Sequence, residues 1–176
     1  MIKSKALEAN LAEYHVEVQV APKYQVIQEV MSRYYGIMDG VNTFLAELSH
    51  PYKNWQFIVR ETRNYALNYF HLLRSHPKGG QAASIFFDIF ADAIAGTSHA
   101  EVRVDAADNQ LLLVQKIIKE AGDQKAKFYP VLNAAFERIR QYPDSDFFLF
   151  VKSFYPLNRI AKAFLRAAPE SFGAFL

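Results

Sequence analysis

The sequence predicts an all-α protein, a single-domain antiparallel bundle of six or seven helices. Two observations carry that prediction. Apolar residues recur at helical spacing in every long segment, and no glycine-rich turn joins two alternating runs of the kind that build a hairpin. A third observation is the punctuation, since seven prolines and seven glycines divide the 176 residues almost regularly. That length suits one domain with one substantial core. With 51% hydrophobic and 22% charged residues, the chain belongs with folded globular proteins rather than disordered ones.

Residues 1–21 read as an N-terminal arm. Lys3 to Glu13 is amphipathic, and Val16, Val18 and Val20 then alternate with polar residues at the period of a strand. That run has no partner, so residues 14–21 read as an extended connector. The helical core spans residues 22–168. Pro22 suits a first helical turn, and a helix is predicted from Lys23 to Leu48. Gly36 and Gly40 lie four apart on one face of it, a spacing that fits a close helix crossing better than a hinge. The next helix follows Pro51 and stops at "SHPKGG". Gln81 to Ala95 is apolar nearly all round except at Ser84, Asp88 and Asp92, the pattern of a central helix with one acidic stripe. Ala100 to Ala121 carries its acids early and its lysines late, matching the helix dipole at both ends, and Gly122 ends it. Lys125 to Gln141 and Asp146 to Arg166 complete the set, the last bent or broken at Pro156. Residues 169–176 read as a tail, and the ending "SFGAFL" suits a fragment as well as a short protein.

Composition narrows function mainly by exclusion. A net charge of +2 is too small to argue for nucleic acid or acidic lipid. The absence of cysteine excludes disulfides, thiolate chemistry and cysteine-ligated zinc. Glu8, Asn10 and Glu13 interrupt any signal-peptide pattern, and the longest apolar run, Phe147 to Val151, is far short of the roughly 20 residues that cross a bilayer. A cytoplasmic location is expected, with no nucleic acid or membrane among the partners. The segment "FFLFVKSFYPLNRIAKAFLR" has apolar residues on all sides, which suits a core helix rather than a membrane-surface one.

Chemistry-like spacings are present but incomplete. Glu47-x-x-His50 has the spacing of di-iron bundles, yet those sites need two such motifs and two further glutamates. The five histidines lie on separate segments. "GTSHAEVR", Gly96 to Arg103, resembles the phosphohistidine signature of phosphoenolpyruvate-utilising phosphotransferases at Thr97, Ser98, His99, Ala100 and Val102. It departs at Glu101 and Arg103, and Glu101 sets a negative charge beside a histidine that would have to accept phosphoryl. Ser98-x-x-Glu101 reads better as a capping box opening the next helix. No catalytic residue, metal or cofactor is therefore assigned.

The richest stretch is "PYKNWQFIVRETRNYALNYFHLLRSHPKGG", residues 51–80. At about 100° per residue, Trp55, Ile58, Val59, Thr62, Tyr65, Ala66, Tyr69, Phe70, Leu72 and Leu73 share one face, which marks the aromatics as core. Phe57 and Leu67 fall outside it. Arg60, Arg63, His71 and Arg74 lie on the opposite side. That basic stripe suits a solvated face, ion pairs to the Asp88 and Asp92 stripe, or an interaction surface for an acidic partner.

The segments "LEANLAEYHVEV", "PYKNWQFIVRETRNYALNYFHLLRSHPKG" and "FFLFVKSFY" resemble the helical N-terminal region of large bacterial phosphoenolpyruvate/pyruvate-binding proteins of the pyruvate phosphate dikinase type. The resemblance implies that the ATP-grasp and swivelling phosphohistidine domains, which carry that family's catalysis, lie outside these 176 residues. The expectation is a non-catalytic interaction or regulatory module. It would use Arg60, Arg63, His71 and Arg74 to engage another protein or a downstream domain, and it is compatible with a homo-oligomer. The alternative is a helical bundle that binds a small phosphorylated or acidic ligand in an internal or basic pocket.

Overall fold

The computed structural model describes residues 20–140, all of them helical or in short connections, with no strand among them. Seven α-helices follow one another: α1 Pro22–Met31, α2 Met38–Leu48, α3 Trp55–Arg63, α4 Phe70–Ser75, α5 Gly79–Gly96, α6 Ala100–Glu120 and α7 Tyr129–Arg140. The all-α class is as predicted. The N-terminal arm, most of the extended connector, the helix expected over Asp146–Arg166 and the tail lie outside the described residues.

Three of the predicted helices differ in detail, each for a local reason. The helix expected from Lys23 to Leu48 is two helices. Ser32 closes α1 by turning its hydroxyl onto the carbonyl of Glu29 at 2.7 Å, a local bond that competes with continuing the helix. Tyr34 then leaves helical geometry and a 3₁₀ turn at Tyr35–Ile37 leads into α2. Of the two glycines on that predicted face, Gly40 makes the close approach, because a Cβ there would lie 2.5 Å from the Tyr65 hydroxyl.

The aromatic stretch is also interrupted. A π-type turn, Asn64–Asn68, separates α3 from α4. Such a turn holds one more residue than an α turn, which offsets the phase of the following helix by roughly 100°. Further on, Gly122 leaves α6 with φ of 59°, a conformation that only glycine takes without strain. A 3₁₀ segment then runs over Gly122–Phe128 before α7 begins at Tyr129. An α-helix starting at Lys125, as predicted, would place Pro130 in its interior; starting at Tyr129 puts that proline in the first turn.

Helix α5 sits at the centre, packed against α1, α3, α4, α6 and α7. Its buried residues come from all sides of the helix and include Ala82, Phe86, Phe90 and Ile94. Phe44 from α2, Ile58 from α3, Leu73 from α4 and Phe128 from the 3₁₀ segment complete a core with no exposed surface. On the predicted face of residues 55–73, Trp55 and Tyr69 are half-buried and every other member is buried.

Candidate functional site

The basic residues divide into two groups. Arg60 and Arg63, on α3, are exposed. Arg60 lies 3.9 Å from Glu61 and stacks over the Phe57 ring at 5.4 Å, and Arg63 makes no ion pair with a described residue. His71 and Arg74 follow the π-type turn and are exposed as well. The His71 ring lies 6.2 Å from that of Tyr69, which continues through Tyr65 to the buried Phe44 and sideways to the half-exposed Tyr34. Burial, with smaller contributions from Glu61 and Tyr69, pushes the Tyr65 phenol up to about 12. Arg74 is committed elsewhere: its Nε donates to the carbonyl of Ala121 at 3.2 Å and its guanidinium lies 3.5 Å from Asp123.

Around the end of α4 the cations serve the backbone. Arg33 donates to the Ser75 carbonyl at 3.0 Å, and Lys127 donates to the carbonyls of Arg74 and His76. The Arg74 and Ser75 carbonyls belong to the last turn of α4, and the His76 carbonyl just beyond it also accepts the Gly79 N–H at 2.9 Å; positive charge there suits the helix dipole. "HPKGG" ends α4 as expected, and it opens α5 as well, with Lys78 as the flanking residue and Gly79 as the first of the helix.

A separate feature joins two connections that are far apart in the chain. The α2–α3 loop, residues 51–54, and the α5–α6 junction, residues 97–99, enclose an open cleft of about 630 Å³. Glu47 and His50, which share a metal-ligand spacing, act instead as struts of the first wall. The Glu47 carboxylate accepts the Asn54 N–H at 2.9 Å, and His50 Nδ1 accepts the Tyr52 N–H at 3.1 Å. Asn54 in turn caps α3, its Oδ1 accepting the Phe57 N–H at 3.1 Å. Among the described residues no cluster of three or more His, Asp or Glu is placed to hold a metal ion.

The second wall begins at Gly96, against which the Trp55 indole packs. Thr97 Oγ1 accepts the His99 N–H at 3.2 Å and so turns the chain into α6. The expected Ser98–Glu101 capping box does not form. His99 is the flanking residue and α6 starts at Ala100, which puts Glu101 at the second helical position instead of the third. His99 is the one histidine that lines the cleft, and it is exposed, as are His50 and His71.

The cleft thus offers an aromatic floor (Trp55), one cation (Lys53), one anion (Glu101), the His99 imidazole and several neutral hydrogen-bonding side chains. Sequence reasoning placed Trp55 in the core and did not connect it with residues 96–102. The only hint was the small residue at position 96, and it gives no partner. No family model, no curated protein and no solved structure matches the chain.

Proposed function

We propose that this chain is a cytoplasmic, non-catalytic helical interaction module, of the kind that precedes the catalytic domains of bacterial phosphoenolpyruvate/pyruvate-binding proteins. Its exposed basic residues engage an acidic segment of another protein or of a downstream domain. The observation that carries this reading is the free basic surface of α3. Arg60 and Arg63 are exposed on the side opposite the core, and among the described residues their one ion pair is the 3.9 Å contact of Arg60 with Glu61, beside the stacking of Arg60 over Phe57. Such a contact contributes at most about 1 kcal/mol and leaves the guanidinium donors available for bidentate carboxylate recognition. His71, beyond the π-type turn, is exposed as well and is the third residue of the proposed surface, whereas Arg74 contributes mainly to the fold through Ala121 and Asp123. Among the described residues no helix is long and apolar enough to cross a membrane.

The test is the double variant Arg60→Glu with Arg63→Glu. Affinity capture identifies a partner with the wild-type chain, and titration with the purified partner then compares the two proteins. The expected result is a loss of affinity of about tenfold or more, with a melting temperature close to wild type. The wild-type interaction should also weaken as salt rises. Equal affinity of the two proteins, or a large fall in melting temperature, would remove the proposal.

A further inference from the structure

The cleft between the α2–α3 loop and the α5–α6 junction carries an inference independent of the basic surface. Its volume, about 630 Å³, lies within the roughly 300–1,000 Å³ typical of small-molecule sites. Its floor is a tryptophan held in place from below, since the indole packs so tightly on Gly96 that a Cβ there would lie 2.6 Å from Cζ2. Lys53 Nζ stands 6.0 Å from the same ring. Two helices, α3 and α6, begin at the cleft, so the positive ends of both dipoles favour negative charge there.

The charges are the informative part. Lys53 and Glu101 line one cleft with opposite signs, yet they form no ion pair with each other or with any other described residue. A simple anion entering would meet Glu101, and a simple cation would meet Lys53 and the two helix starts. Either one would be attracted by one of these partly or fully exposed side chains and repelled by the other. A ligand that carries both signs leaves neither unpaired. We propose that the cleft binds a small zwitterion of the α-amino-acid class with an apolar side chain. The carboxylate is directed to Lys53 and the helix starts, the ammonium to Glu101, and the side chain to the face of Trp55.

Trp55 is the only tryptophan in the chain, so selectively excited tryptophan emission reports on this cleft alone. The experiment titrates the protein with a panel of the standard L-amino acids, and with isocaproate and isoamylamine, which match leucine but lack its ammonium or its carboxylate. The expected result is a saturable change in tryptophan emission with at least one apolar amino acid. Leucine should bind about tenfold or more tightly than either single-charge analogue, or, if another amino acid is preferred, that acid should exceed its own deaminated and decarboxylated forms by the same factor. Lys53→Met and Glu101→Gln should each weaken binding by about tenfold at an unchanged melting temperature. No saturable response anywhere in the panel would overturn the proposal. So would a single-charge analogue that binds as well as the zwitterion, or two variants that bind like the wild type. The analogue comparison needs no variant, so it decides the question even if a substitution disturbs folding.

Discussion

The Trp55 indole and Gly96 touch so closely that the two positions act as a single structural unit. A methyl group at residue 96 would lie 2.6 Å from Cζ2, 2.8 Å from Cε2 and 3.0 Å from Nε1 of the ring. Those atoms belong to a rigid bicycle and cannot yield as the tip of a flexible side chain would. Gly96→Ala should therefore push the indole outward and cost on the order of 1–3 kcal/mol, the usual penalty for overpacking a fitted contact. Two readouts check this: a lower urea midpoint, and a red-shifted emission from the only tryptophan as its exposure rises. Unchanged emission would mean that the ring sits elsewhere. Such a pairing could not be read from the chain alone. The helical wheel places Trp55 correctly on the inward face, but periodicity states only which side a residue faces, not which residue it meets.

Helix α4 has six residues, far below the length at which a helix is stable by itself. Its stability comes from packing of Phe70, Leu72 and Leu73 and from hydrogen bonds that the cationic Arg33 and Lys127 donate to its carbonyl end. His76 closes that end, with Nδ1 accepting the Lys78 N–H at 2.9 Å. A protonated ring would lose that acceptor. Burial holds the imidazole below its ordinary value, Arg33, Lys78 and Lys127 lower it further, and Glu29 partly opposes them. A folded-state value below the unfolded one means that the native state takes up its proton later as pH falls. This contribution to stability is present above about pH 6.5 and is lost as pH drops through the depressed value. Replacing His76 by Gln should therefore flatten the fall in melting temperature between about pH 7 and 5 relative to wild type. An identical pH profile in the variant would show that other groups dominate. At this scale the sequence was only partly legible. The basic side chains and the stop at "SHPKGG" were visible, and the buried face of residues 55–73 was assigned correctly. The π-type turn was not, because Asn64–Asn68 carries no proline or glycine. The extra residue accompanies the packing of Tyr65 against Phe44 and Tyr69 against Tyr34, contacts that no local pattern encodes.

For the molecule as a whole, helix α5 organises the described fold, and this was the most legible feature of all. A helix apolar on nearly every side can only be satisfied by neighbours on every side. Helix α5 packs against five other helices and buries Phe86 and Phe90 completely. The cleft was illegible for the complementary reason: its two walls are connections, whose positions depend on how the helices pack and not on their own residues. The same contrast separates core from surface energetically. Phe90→Ala removes a ring with no exposed area at the hub, so it should cost about 3–5 kcal/mol through lost transfer energy and the cavity left behind. Single domains are stable by about 5–15 kcal/mol in total, and one such truncation consumes a large share of that. The charge reversal of Arg60 and Arg63 should instead stay within about 0.5 kcal/mol per site, because neither side chain is buried. Urea denaturation of the two variants beside the wild type makes the comparison direct. The midpoint should fall steeply for Phe90→Ala and hardly at all for the arginine pair, with the slope unchanged in both. A Phe90→Ala loss below about 1 kcal/mol would be too small for a fully packed aromatic and would displace α5 from the centre of the core.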